Sequence, residues 1–122
     1  YLGTKKDDPG QRKGVEWLAA MGPARDNIYH NYHATMVMFQ NDGPKGKLWK
    51  SWNSVMRDML VNSQVKQGPD AGSWYYGGNH GHTGGRLMST CMCAMTLEVY
   101  YRYQSAYKPG GGSDEEEDFP LE

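Results

Sequence analysis

Two helical stretches without a charged residue constrain this chain more than any other feature. From Asn27 to Asn41, and again from Leu87 to Leu97, there is no Asp, Glu, Lys or Arg. Apolar or aromatic residues fall on every face of the first stretch, and a helix with no charged face is a buried one. The second carries Ser89, Thr90, Cys91, Cys93 and Ala94, small residues that would let another helix approach closely. A helix of the opposite kind lies between them. Leu48, Trp49, Trp52, Val55, Met56, Met59 and Leu60 make one apolar stripe, with Lys50, Asn53, Ser54, Arg57 and Asp58 opposite, as on a surface helix. Outer and inner helices are therefore expected to alternate.

Local signals set the boundaries. Asp8-Pro9 is a helix start, with Asp as N-cap and Pro in the first turn. Gly22-Pro23 stops that helix, Asp26 is expected to cap the next, and Gly43-Pro44 closes the pair. Helices are expected at about 10–21, 27–41, 46–64 and 86–104, with ends uncertain by ~2–4 residues. Between the third and fourth lies Gly68 to Gly85, too rich in glycine to be helical and too aromatic, through Trp74-Tyr75-Tyr76, to be a solvated linker. A loop of this kind is ordered by its own aromatic contacts or is functional.

The helices are also loosely duplicated. Lys13-Gly14-Val15-Glu16-Trp17-Leu18 is echoed by Arg57-Asp58-Met59-Leu60, then Gln64 and Gly72-Ser73-Trp74. The inner stretches carry Ala34-Thr35 and Ser89-Thr90, which we take as equivalent. A period of roughly 40 residues with two helices per unit signals stacked helical repeats. Such units do not bury their own apolar faces and need neighbours.

At 122 residues the chain is one domain, and a net charge of −1 argues against a nucleic-acid binder driven by phosphate neutralisation. Leucine and isoleucine are scarce beside 8 Met, 9 Tyr and 4 Trp, so the core is expected to be built from adaptable or polar-tipped side chains. No stretch approaches the ~20 apolar residues of a membrane span. The chain opens at Tyr1 with no initiator Met or signal peptide, and we expect a C-terminal fragment or mature piece of something longer. Residues 1–108 are expected to form the helical-repeat segment. Residues 109–122, glycine followed by Asp114-Glu115-Glu116-Glu117-Asp118, are expected to be a flexible acidic tail.

Candidate chemistry is sparse. His30 and His33 share a helix face and His80-x-His82 sits in the glycine-rich loop, but no carboxylate lies beside them in sequence, so no metal site is expected. Cys91 and Cys93 point to nearly opposite faces, do not bridge each other, and are expected to be free and buried. Neither is assigned as a nucleophile, since no base-orienting acid is evident. Glu98 and Arg102 are spaced as a surface ion pair. Tyr29, Tyr32, His33, Trp74, Tyr76, His80 and His82 could line a pocket for an apolar or sugar-like ligand, competing with a plain packing role. Tyr32, Met36, Met92 and Met95 are the expected contacts for a partner chain.

Lys13-Gly14-x-x-Trp17-Leu18, and Leu60-x3-Gln64 with Gly72-x-Trp74, resemble the QW repeat of the squalene cyclase and prenyltransferase superfamily. Gly84-Gly85-Arg86-Leu87-Met88-Ser89-Thr90 through Leu97-Glu98-Val99-Tyr100-Tyr101-Arg102-Tyr103 is similar to the last helix of prenyltransferase/squalene-oxidase-repeat proteins of planctomycete-like bacteria. The resemblance spans about residues 10–107 and implies an all-α fold, part of an α/α toroid of paired outer and inner helices. In that family the QW glutamine and tryptophan tie one helix end to the next. The first copy departs from the pattern, with Met21-Gly22 in place of Gln and no Gly-x-Trp after it, and the second has a longer interval from Gln64 to Gly72. The cyclases' Asp-x-Asp-Asp motif is missing, and Cys91-x-Cys93 stands where a zinc prenyltransferase needs Asp-x-Cys. A non-catalytic helical-repeat scaffold or binding module is therefore expected, without a cofactor, completed by a homo-oligomer or by a chain supplying further repeats. The alternative is part of a cyclase- or prenyltransferase-like enzyme whose catalytic motif lies outside this chain.

Overall fold

The computed structural model describes residues 8–78 and 80–104, the side chains of 100–104 excepted. The acidic tail, Asn79 and the Glu98–Arg102 pairing thus lie outside the described residues. The described residues form four helices and no strand: α1 (Pro9–Met21), α2 (Ile28–Asp42), α3 (Lys47–Ser63) and α4 (His80–Gln104). Asp8 caps α1 by accepting from the Gly10 and Gln11 amides, leaving Pro9, which has no N–H, in the first turn. The cap of α2 is Asn27, bonded to the His30 amide, and not Asp26. At both ends a glycine amide closes the last turn, Gly22 onto the Leu18 carbonyl and Gly43 onto Phe39.

Short connections join α1 to α2 and α2 to α3, whereas a long segment between Ser63 and His80 carries the chain from α3 to α4. α2 packs most extensively against α4 and also meets α1 and α3, while α1 touches α3. The core runs along α2 and α3: Ile28, Met38, Phe39, Trp49, Met56 and Leu60 are all but inaccessible. Phe39 and Trp49 meet edge to face at 4.8 Å. Polar groups inside this core are paired, as burial demands. Thr35 Oγ1 donates to the Asn31 carbonyl (2.7 Å) and accepts from Trp52 Nε1 of α3 (2.9 Å).

α4 starts earlier than its glycine content suggests. A helical turn begins at His80, and Gly85 (φ 66°, ψ −163°) kinks the chain before the long stretch from Arg86 onward. That conformation is readily available only to glycine. The early turn is held by tertiary contact: Gly81 is buried against the Tyr76 carbonyl, where a Cβ would collide, and its amide bonds to Gly78 O at 2.8 Å. The expectation of a wholly non-helical segment up to Gly85 is corrected accordingly.

Burial also differs from the simple alternation. α1 buries only Val15, whereas α3, also expected to be an outer helix, buries Trp49, Trp52, Met56 and Leu60. α4 buries Ser89, Cys93, Thr96 and Val99, but Leu87, Cys91, Ala94 and Leu97 are exposed. A charge-free helix here has one covered side and one open side. Of the two cysteines, Cys93 is fully buried and Cys91 is exposed, so the expectation that both are buried fails for Cys91. A soluble maleimide is expected to add once to the native protein, at Cys91, and twice after unfolding, with peptide mapping as the check.

Candidate functional site

Two groups of side chains emerge from the expected ligand-binding set. Tyr29, Tyr32, His33 and His80 come together at the N-terminal ends of α2 and α4. The rings of Tyr29 and His33 meet edge to face at 4.5 Å, Tyr29 lies 4.9 Å from His80, and Tyr32 is 5.2 Å from His33. Tyr29, His33 and His80 are exposed. His82 is exposed as well. Among the described residues no three His, Cys, Asp or Glu side chains gather as a metal site.

Trp74 and Tyr76 belong elsewhere. Both are 7 % exposed and pack in the core. Trp74 Nε1 donates to the Leu60 carbonyl at the end of α3 (2.8 Å), and Tyr76 OH shares a hydrogen bond with Ser63 Oγ (2.9 Å). α4 grips the same segment from the other side. Thr90 Oγ1 accepts from the Trp74 amide (3.1 Å) and donates to the Trp74 carbonyl (3.3 Å), while Ser89 Oγ accepts from the Tyr76 amide (3.2 Å). Gln64, the C-cap of α3, donates to the Gly72 carbonyl at 3.0 Å. Arg86 finishes the clamp by donating to Ser73 Oγ (3.2 Å), pairing with Asp70 (3.2 Å) and lying 5.5 Å from the centre of the Tyr75 ring. The loop is thus stitched to α3 and α4, and its aromatics fill core volume.

The first hairpin contains a matching clamp that was not singled out from the sequence. Asn31 is fully buried, and its side-chain amide accepts from the Ala24 N–H and donates to the Ala24 C=O, both at 2.8 Å. Asn31 on Ala24 and Thr90 on Trp74 hold the same two backbone groups of the connection preceding their helix. In bonding role Asn31 is the counterpart of Thr90, whereas Thr35, paired with Thr90 on sequence, bonds the Asn31 carbonyl and the Trp52 indole. An asparagine amide and a threonine hydroxyl perform the same bonding with different atoms, so residue identity hid the match.

Met36, Met92 and Met95 are half-buried, with Met36 and Met92 packed against the core. The exposed large apolar residues of α2 and α4 are instead Tyr29 and Val37 on α2 and Leu87 and Leu97 on α4. A separate open groove of about 380 Å³ runs between α1 and α3, lined by Ala19, Ala20, Pro23, Leu48, Trp52 and Val55 among others.

Burial pushes the Cys93 thiol from 9.0 up to about 12. It also raises the Tyr76 phenol above its usual 10.0, against the opposing hydrogen bond with Ser63. A folded state that binds a proton more tightly than the unfolded chain is stabilised by it below the unfolded value, and loses that stabilisation as the pH rises toward the folded value. Cys93 therefore contributes fully below about pH 9 and progressively less up to about pH 12. Melting temperatures are expected to hold level from pH 7 to 9 and then fall, with a shallower fall in Cys93→Ala.

No helix of the described residues is long and apolar enough to cross a membrane. Comparison with protein-family models, curated proteins and solved structures finds no match to the chain.

Proposed function

We propose that the chain is a helical-repeat segment, part of an α/α toroid of the squalene cyclase and prenyltransferase type, acting as a non-catalytic scaffold or binding module. The observation that carries this reading is the tie between the two helices of the second hairpin. Gln64 and Trp74, the two residues of the QW resemblance, join the end of α3 to the loop that α4 grips. The layering agrees with it, since α2 and α4 lie together while α1 touches α3. The open apolar sides of α2 and α4 are what a repeat shows where a neighbour is to be added. The exposed cluster of Tyr29, His33 and His80 gives an apolar ligand or partner chain aromatic surface to meet.

The test is a pair of measurements on the purified chain. An apolar-surface dye is expected to fluoresce with the native protein, and less so when Leu87 is replaced by Glu. Squalene, or a polyprenyl diphosphate with Mg²⁺ or Zn²⁺, is expected to be recovered unchanged. A cyclised or transferred product would instead support the enzyme alternative, and a silent dye would remove the basis for a binding surface.

A further inference from the structure

The equivalence of Asn31 and Thr90 fixes the register between α2 and α4, and the burial patterns of the two helices then become complementary. With Asn31 laid on Thr90, Thr35 falls on Ala94, Met38 on Leu97 and Ile28 on Leu87. The α2 member of each pair is buried, at 0 %, 0 % and 2 % exposure, whereas Leu97 and Leu87 stand 37 % and 77 % exposed and Ala94 is open. On α2 this stripe meets α3, through the Trp52–Thr35 hydrogen bond and the Phe39–Trp49 ring contact. On α4 no further helix covers the same stripe among the described residues. The converse holds on the other side. Thr96 of α4 is 3 % exposed, while its counterpart on α2, Val37, is 37 % exposed.

The outer helices agree. The Gly22 amide closes α1 onto Leu18 just as the Gln64 amide closes α3 onto Leu60, so Trp17 corresponds to Met59. Met59 packs against the core, but Trp17 is 62 % exposed. The molecule therefore has a front edge of Trp17, Tyr29 and Val37 and a back edge of Leu87, Ala94 and Leu97. The three back-edge positions and Val37 are open where the other hairpin buries their counterparts, and Trp17 is open where Met59 packs against the core.

We propose that a second copy of this chain occupies the back edge through its front edge, so that copies associate head to tail and repeat the α2–α4 contact between molecules. This rests on the helical-repeat reading above. The occupant follows from continuity with the intrachain interface: the α1–α2 hairpin of a second copy is homologous in register to the α3–α4 hairpin that already covers α2. A head-to-tail contact uses two different patches, so it extends to a closed ring or to a filament, never to a two-fold dimer.

That asymmetry supplies the experiment. Leu87→Glu charges the back edge and Val37→Glu the front edge. Both positions are exposed, and circular dichroism with thermal melts checks that each variant stays folded. In sedimentation velocity the native chain is expected to form species larger than a dimer at high concentration. Each variant alone is expected to be monomeric. Their equimolar mixture is expected to give a 1:1 heterodimer, because one intact front edge meets one intact back edge. A dimer that persists in both single variants would overturn the proposal. A native chain that stays monomeric yet binds the apolar dye would also overturn it, while leaving the repeat reading intact. A monomer that binds no dye would overturn both.

Discussion

Replacing Trp74 by alanine is expected to cost about 3–5 kcal/mol of stability, the range for truncating a buried aromatic side chain. The indole is 7 % exposed and spans from the loop to the last turn of α3, where its Nε1 reaches the Leu60 carbonyl at 2.8 Å. Truncation removes that bond and opens a cavity between the loop and α3. Trp74→Phe separates the two contributions. The Leu60 carbonyl still accepts from the Gln64 amide at 3.1 Å, so no backbone group is orphaned, and the loss is expected to be about 1–2 kcal/mol. Urea unfolding followed by far-ultraviolet circular dichroism measures both. A loss below about 1 kcal/mol for Trp74→Ala would mean that the loop is not anchored through this side chain.

The second large effect is expected at Asn31. Its side chain is fully buried and satisfies both the N–H and the C=O of Ala24. Asn31→Ala removes a donor and an acceptor together, and stranding partly buried polar groups costs about 1–3 kcal/mol each. We expect a total of about 2–4 kcal/mol, since water can reach part of the Ala24 backbone. Thr90→Val is the matched change in the second hairpin and is expected to cost less, about 1–2 kcal/mol. The Thr90 hydroxyl bonds are longer, at 3.1 and 3.3 Å, and Arg86, Ser89 and Gln64 still hold the loop. Equal losses at the two positions would contradict this ranking.

Much of the helical framework was legible in the residues. The Asp8-Pro9 start and the Gly22 and Gly43 stops act through backbone rules within one turn, so the chain order alone exposes them. Trp49, Trp52, Met56 and Leu60 are buried because helical geometry puts them on one stripe. The candidate site was legible only in part. Tyr29, Tyr32, His33 and His80 do meet, but Trp74 and Tyr76 turn into the core, and nothing in the composition of a Gly-rich aromatic loop distinguishes the two outcomes. The expectation that Asp26 caps α2 failed at a neighbouring position, since Asn27 offers an equally good acceptor one residue on.

By itself the sequence determined where α1, α2, α3 and the long stretch of α4 lie, and the amphipathic stripe of α3, because these depend on local geometry and on the cost of placing apolar groups in water. The tertiary structure alone decided the register between the hairpins and the exposure of each edge. Asn31 and Thr90 are different residues with the same bonding partners, and Ile28 and Leu87 are similar residues with opposite exposure. Burial belongs to the neighbour as much as to the side chain. α2 has α3 across its Thr35 stripe, and α4 has no helix over the matching Leu87–Leu97 stripe among the described residues.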